Sequence, residues 1–302
     1  MTITKKQGKG KKMNSKNKDA LKIFIGYVFA FLVGLFVYLE LRLEYETVYA
    51  VLIANVAMTM IVFIGSVIYN NSSFYDPYWS VVPPVLIFVF MVESAQFSIW
   101  FVPVFIGVCM WSHRLTLNWY KNFVGFKKED FRYQDFREKF PKMYWLVSLL
   151  AVHMFPTLIV YLGLMPIYIF VNDTVSRPFF VIVGTVIILS GTVISYFADE
   201  QMRDHQKNQY EYAMKEGLWS ISRHPNYLGE LMMWFGVMVV SFSVSYDYYQ
   251  TFGFLAMLSL FEFYSIPRME KRLLERKEDY EEIKLNISRV FPLSYIRKSL
   301  FK

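Results

Sequence analysis

Ionisable and amide side chains gather in a few short stretches of a chain that is otherwise largely apolar. The densest stretch is Gly217-Leu218-Trp219-Ser220-Ile221-Ser222-Arg223-His224-Pro225-Asn226-Tyr227-Leu228-Gly229-Glu230. Pro225 suits the first turn of a helix, where a missing N–H costs nothing. The positive end of that helix, with Arg223 beside it, offers an anion site. Asn226 and Glu230 stand an i,i+4 step apart and share one helix face. A helix cap does not need Arg223, Asn226, Tyr227 and Glu230 together, so the set points to ligand binding. Glu230, at the edge of an apolar run, needs a cationic or hydrogen-bonding partner.

Three further stretches offer chemistry. Asp199, Arg203 and Lys207 follow i, i+4, i+8 and form one charged stripe. Such a stripe is either a solvated face or a site, with an acid for a ribose hydroxyl or amide and two cations for phosphate. In Trp111-Ser112-His113-Arg114-Leu115-Thr116-Leu117-Asn118-Trp119, Arg114 and Asn118 share a face. Arg114 there either snorkels to a membrane interface or joins Asn118 in a ligand pocket. In Ser73-Phe74-Tyr75-Asp76-Pro77-Tyr78-Trp79-Ser80, Asp76-Pro77 favours a turn. Asp76 either anchors that turn or faces a cavity, where it would order a water, orient an arginine or pass a proton. The four histidines (His113, His153, His205, His224) show no i,i+4 pairing and have one cysteine, Cys109, for company, so no metal site is expected.

The elements that must position these groups follow from composition. The 302 residues are 55% hydrophobic and 19% charged, with a mean hydropathy of +0.30. A soluble domain carries about 25% charged residues, so the chain reads as a polytopic membrane protein. A single cysteine excludes a disulfide scaffold. Eight runs approach the roughly 20 apolar residues that a spanning helix needs. They are Leu21–Leu39, Glu46–Tyr69, Trp79–Ser94, Phe97–Tyr120, Tyr144–Phe170, Phe179–Phe197, Tyr227–Val244 and Thr251–Ile266. The fold class expected is therefore an all-α bundle of about eight transmembrane helices. Pro83 and Pro84 predict an irregular start to the third, and Pro156 and Pro166 a kink in the fifth.

With both termini inside, all but Arg42 and Arg177 of the 32 Lys and Arg residues fall on the inner side. That bias follows the positive-inside rule and predicts cytoplasmic termini. Residues 1–20 read as a disordered basic tail whose charge attracts anionic lipid; no folded basic face suggests nucleic acid. No small-residue cleavage site marks a signal peptide. The rest, 21–302, reads as one transmembrane domain. Its end, 267–302, is an amphipathic segment returning along the inner surface, most of its charges solvated or lipid-facing. There Arg268, Arg272 and Tyr280 are candidates to close a nucleotide site from below.

The residues resemble a known family. Gly217-Leu218-Trp219, Ser222-Arg223-His224-Pro225-Asn226-Tyr227 and Gly229-Glu230 are similar to the C-terminal signature of the steroid 5-alpha reductase superfamily. With Tyr75-Asp76-Pro77-Tyr78-Trp79, Arg114-Leu115-Thr116 and Asp199-Glu200-Gln201, the chain is closer to that superfamily's bacterial membrane proteins. Isoprenylcysteine carboxyl methyltransferases share a related Arg-His-Pro-x-Tyr element and bind S-adenosylmethionine with it. The resemblance implies a cytoplasmic-side NADPH pocket opening to a lipid-accessible cavity, in a bacterial inner membrane. By motif position, Asp199 and Asn226 match cofactor-binding residues, Arg203 a basic residue one turn on, and Glu230 the acid of the Gly-Glu pair. Arg114, Asn118, Lys207, Arg223, Tyr227 and Arg272 complete the expected cofactor set.

Two departures bear on the reaction. The steroid enzymes grip the substrate carbonyl with a glutamate and a tyrosine. Trp111 occupies the tyrosine position here, and Ser80-Val81-Val82-Pro83-Pro84 contains no glutamate. Asp76 and Tyr78 are the expected catalytic substitutes, with Tyr75 and Glu93 as further choices. The family's C-terminal histidine and tyrosine are Met269 and Leu273. The leading expectation is an NADPH-dependent reductase of a conjugated double bond in a hydrophobic, lipid-soluble substrate. The alternatives are an S-adenosylmethionine-dependent methyltransferase, with Arg223 and Glu230 on the cofactor's carboxylate and amine, and a non-enzymatic lipid-binding protein.

Overall fold

A computed structural model describes residues 14–208 and 210–292. Among them the secondary structure is helical throughout, and the architecture is a polytopic membrane helix bundle. The chain runs through α1 (Ser15–Leu41), α2 (Thr47–Ile68), α3 (Tyr78–Glu93), α4 (Phe101–Asn122) and a short polar helix α5 (Phe131–Lys139). It continues through α6 (Tyr144–Val147), α7 (Phe155–Asn172), α8 (Pro178–Lys207), α9 (Pro225–Ser241), α10 (Phe252–Leu260), α11 (Ile266–Leu274) and α12 (Tyr280–Asn286). Each of the eight apolar runs coincides with one of the long helical segments. Five segments are long and apolar enough by themselves to cross a membrane: Ser15–Leu41, Thr47–Ile68, Ser72–Glu93, Tyr144–Asn172 and Pro178–Lys207. The other three fall short for identifiable reasons. Polar residues fill the inner half of α4, α9 has 17 residues, and a π-helical stretch separates α10 from α11.

Several local expectations are revised. Residues 15–20, assigned to the basic tail, form the first turns of α1, where Asp19 is buried and accepts from Phe126 N at 3.1 Å. Residues 1–13 and 293–302, where the remainder of the tail and the end of the amphipathic segment fall, lie outside the described residues. Pro83 and Pro84 sit inside a continuous α3 rather than spoiling its start. The disturbance expected at Pro156 takes the form of a π-helical stretch, Ser148–Met154, between α6 and α7. A proline lacks the N–H that would bond four residues back, and the wider register accommodates the freed carbonyls. A second π-helical stretch, Phe261–Ser265, joins α10 to α11.

The tightest packing positions the densest motif. α8 lies against α9 through Gly184 and Gly191 on one side and Gly229 and Gly236 on the other. A Cβ at Gly184 would sit 2.7 Å from Gly236 O, and one at Gly191 would sit 2.5 Å from Gly229 O. The backbones touch because small residues stand where the helices meet, as is common in membranes, where van der Waals packing drives association. α4 packs on the other side of α8, and α3 on α4. The functional side chains of α4, α8 and α9 are thereby brought to one end of the bundle.

Candidate active site at the basic end of the bundle

Arg114 of α4 is buried between two carboxylates. Its Nη1 donates to Asp199 Oδ2 at 3.0 Å, and its Nη2 to Glu230 Oε1. Trp111, one turn earlier on the same helix, donates its indole N–H to Glu230 Oε2 at 2.7 Å. Glu230 thus has the cationic and hydrogen-bonding partners that its position demanded. An isolated carboxylate there would cost several kcal/mol, whereas a fully bonded one is held in a single geometry. Ser195, one turn before Asp199, donates to Asn226 O at 2.9 Å and fixes the start of α9 against α8.

These groups line a cavity of about 340 Å³. Asp76, Arg114, Asn118, Asp199, Asn226, Tyr227 and Glu230 all border it, so seven residues singled out from sequence converge. Its other wall is apolar, made by Val152, Pro156, Val160, Met257, Leu260 and Phe261. Both π-helical stretches contribute, through Ala151 and Val152 of one and Phe261, Tyr264 and Ser265 of the other. Such stretches are frequent at functional sites, because they open a helix surface that regular packing would close. Ala151 and Tyr264 are both exposed as well as bordering the cavity. Two side-chain atoms of the polar wall, Asn226 Oδ1 and Arg114 Nε, are buried without a hydrogen-bond partner. Buried polar groups are seldom left so, and these two belong to residues that border the cavity.

The sequence-based reading missed a third contributor. Asp130, Arg132 and Tyr133, from the segment between α4 and α6, close the polar end of the cavity. Tyr133 donates to Asp76 Oδ1 at 2.6 Å, joining α5 to the turn before α3. Burial, and then the Asp76 carboxylate, push the Tyr133 hydroxyl up, so it keeps its proton. Asp130 caps α5 by accepting from Arg132 N at 2.9 Å, and pairs with Arg132 Nε at 2.8 Å. Burial raises the Asp130 carboxyl, but the Arg132 charge and hydrogen bonds outweigh this and hold it below the usual range. The available signal was a 21-residue polar connection between two spans, too long for a tight turn, with an Asp-Phe-Arg-Tyr helix start inside it.

A family model described as a protein of unknown function (DUF1295) matches residues 61–287, a range that takes in every residue bordering the cavity. The chain belongs to the DUF1295 family. It is similar to uncharacterized protein C594.04c of Schizosaccharomyces pombe, 25% identical over 257 residues that cover 74% of this chain and 73% of the relative. No solved structure matches.

Other residues of this DUF1295 chain stand elsewhere than the sequence suggested. Tyr78 is buried away from the cavity, with its hydroxyl 3.1 Å from Asn55 Oδ1, and Tyr75 takes its place on the wall. The two rings lie 5.4 Å apart and both hydroxyls reach the Thr59–Thr157 pair, so Tyr75 stands between Tyr78 and the cavity. Arg223 is not an open anion site. Its Nε and Nη2 both lie 2.9 Å from Glu270 Oε1, and its backbone N–H donates to Ser288 O at 2.8 Å. Together with Nη1 bonds to Lys284 O and Ile287 O, these tie α11 and α12 to the start of α9. Tyr280 joins the same cluster, 3.5 Å from Glu270, rather than closing a nucleotide site.

The charged stripe of α8 divides. Asp199 faces the cavity; Arg203 pairs with Glu200 at 2.5 Å and donates to Asn118 Oδ1 at 2.7 Å; Lys207 is exposed and pairs with Asp204 at 3.1 Å. Arg272 borders two neighbouring cavities and not the first, with its guanidinium 3.8 Å over the Phe131 ring. Glu93 lies at the opposite end of the bundle, 2.8 Å from Arg42. Among the described residues no three His, Cys, Asp or Glu side chains converge as metal ligands.

Proposed function

We propose that this chain is an NADPH-dependent reductase of a conjugated C=C bond in a lipid-soluble enone, in the manner of the steroid 5-alpha reductase superfamily that its motifs resemble. The observation that carries the reading is one cavity with an apolar wall for a hydrophobic body and a tyrosine–carboxyl pair at its polar end. On this reading the exposed π-helical residues Ala151 and Tyr264 would be where a lipid-dissolved substrate enters the cavity. The Lys and Arg bias supports a cytoplasmic position for this end of the bundle, where NADPH would be available.

The residues fit the cofactor in part. The open Asn226 Oδ1 acceptor and Arg114 Nε–H donor suit a carboxamide or ribose edge, with Asp199 and Asn118 beside them. A second cavity of about 310 Å³ adjoins the first through Asp76, Trp119 and Asp130, leaving room for a ligand longer than the first alone accepts. A bound reduced nicotinamide would supply hydride to the β-carbon of the enone. Tyr133 would turn its hydroxyl from Asp76 toward the carbonyl oxygen and hold the negative charge that develops there. Asp76 positions that hydroxyl and Arg132 supplies positive charge at the same end. A proton from solvent water delivered to the α-carbon would then complete the saturated product.

The methyltransferase alternative requires Arg223 and Glu230 to hold a free amino acid end. Arg223 is paired with Glu270 and does not border the cavity, which counts against that alternative. The test is incubation of the purified protein with NADPH and a panel of lipid enones, read by mass spectrometry. A product gaining two hydrogens, formed by wild type and not by Tyr133→Phe, supports the reading. Oxidation of NADPH with no enone reduced, or equal product from both proteins, counts against it.

A further inference from the structure

We infer that a second site, between α5 and α11, binds a phosphate group. A cavity of about 510 Å³ there is bordered by Phe131, Gln134, Asp135 and Glu275 and by four cations, Arg268, Lys271, Arg272 and Arg276. None of the four cations has an ion-pair partner among the described residues. Elsewhere at this end of the bundle the arginines are matched to acids, as Arg114, Arg137, Arg203, Arg223 and Arg289 all are.

The two nearer arginines are held rather than loose. The Arg272 guanidinium lies 3.8 Å over the Phe131 ring, and Arg268 lies 4.7 Å over Phe136 and 4.8 Å over Tyr264. Arg268 Nη1 also donates to Tyr264 OH at 2.8 Å. Stacking fixes the plane of a guanidinium while leaving its N–H edge free, and that edge matches two oxygens of a phosphate. Lys271 and Arg276, both exposed, add point charges at the mouth. Against them stand Asp135 and Glu275, so the cavity carries a surplus of two positive charges. A phosphate monoester carries about −1.5 to −2 near neutral pH and balances it. A carboxylate ligand would leave half of the surplus unmatched.

The position admits two sources of that chemistry. α11 follows directly on the last apolar helix, so a lipid whose headgroup is a phosphate monoester is one source. The mouth is equally open to a soluble phosphate. The inference rests in part on the reductase reading, because Arg272 also borders the second cavity proposed there for the longer ligand; none of the four cations borders the first, and both arms below are read without NADPH.

The experiment uses the full chain in nanodiscs of neutral phosphatidylcholine, with thermal unfolding as the readout. One arm adds inorganic pyrophosphate, and the other replaces part of the lipid with phosphatidic acid. The Lys271→Gln/Arg276→Gln pair is the matched variant, since both side chains are exposed and unpaired and the fold does not depend on them. Stabilisation by pyrophosphate that the pair weakens at least tenfold in apparent affinity supports a soluble phosphate ligand. Stabilisation by phosphatidic acid alone, lost in the pair, supports a headgroup. Response to neither, or an equal response in wild type and variant, overturns the inference. Arg272→Lys keeps the charge but loses the stacked fork, and is expected to fall between the two.

Discussion

The Tyr133 hydroxyl donates to Asp76 Oδ1 across 2.6 Å, linking a helix outside the membrane to the turn that starts α3. The bond places a protonated phenol and a carboxyl at the polar end of a cavity whose opposite wall is apolar. Tyr133→Phe removes the hydroxyl and keeps the ring. Enone reduction is expected to fall by about 10²–10³ in kcat, the usual loss for one oxyanion donor, with NADPH affinity unchanged. Steady-state kinetics beside a cofactor titration checks this. A parallel loss of cofactor affinity would instead make Tyr133 part of the nucleotide pocket.

Arg114 is the one cation between Asp199 and Glu230. Arg114→Gln leaves two buried carboxylates facing each other, and is expected to destabilise the protein by about 3–5 kcal/mol. Glu230→Gln retains the Arg114–Asp199 pair and should cost clearly less. Chemical unfolding of both variants in detergent gives the comparison. Equal stabilities would mean that water already solvates the cluster.

The α8–α9 contact depends on glycine at its crossing points. Gly191→Leu would drive a side chain into the Gly229 carbonyl, where even a Cβ would sit 2.5 Å away. Overpacking of this kind costs about 1–3 kcal/mol or more, and here it also separates Asp199 from Glu230. Gly107→Ala meets only the Ile188 methyl at 3.1 Å and should be milder. Yield and thermal stability of the two variants rank them.

The cluster that holds α11 and α12 titrates in a predictable direction. Burial keeps His224 below its ordinary 6.5, despite Glu270 at 3.2 Å. Burial raises Glu270, but the His224 hydrogen bond and the Arg223 charge outweigh it and leave the carboxyl below its ordinary 4.5. Both folded values lie below the unfolded ones, so both contributions are complete above pH 6.5 and are lost as the pH falls. The unfolding temperature should drop between pH 7 and pH 5, and His224→Gln should flatten that slope. A rise in stability on acidification would contradict the arrangement.

Much of the bundle is legible in the sequence because lipid imposes simple rules. Apolar length marks the helices, and Glu230 at a helix edge announces a missing cation that turns out to be Arg114. The i,i+4 pairing of Asn226 and Glu230 correctly places both on the cavity. What spacing cannot convey is which charges are satisfied by distant partners. Arg223 reads as an anion site until Glu270, 47 residues later, is seen against it. Tyr78 and Tyr133 show the same limit. Tyr78, two residues from Asp76, does not border the cavity, while the hydrogen-bond donor Tyr133 arrives from a helix 57 residues on. π-helical stretches leave little sequence trace beyond Pro156, so the apolar wall was not visible before the fold.

The most direct test of the central claim is ligand-dependent stability of the detergent-purified protein, titrating NADPH, NADH and S-adenosylmethionine in parallel on wild type and Asn226→Ala. A ligand at a hundred times its Kd adds about 2.7 kcal/mol to the folded state. The expected result is stabilisation of wild type by NADPH and not by S-adenosylmethionine, with the response lost in a folded Asn226→Ala. Stabilisation by S-adenosylmethionine alone, or an NADPH response unchanged by Asn226→Ala, would contradict the assignment of this cavity.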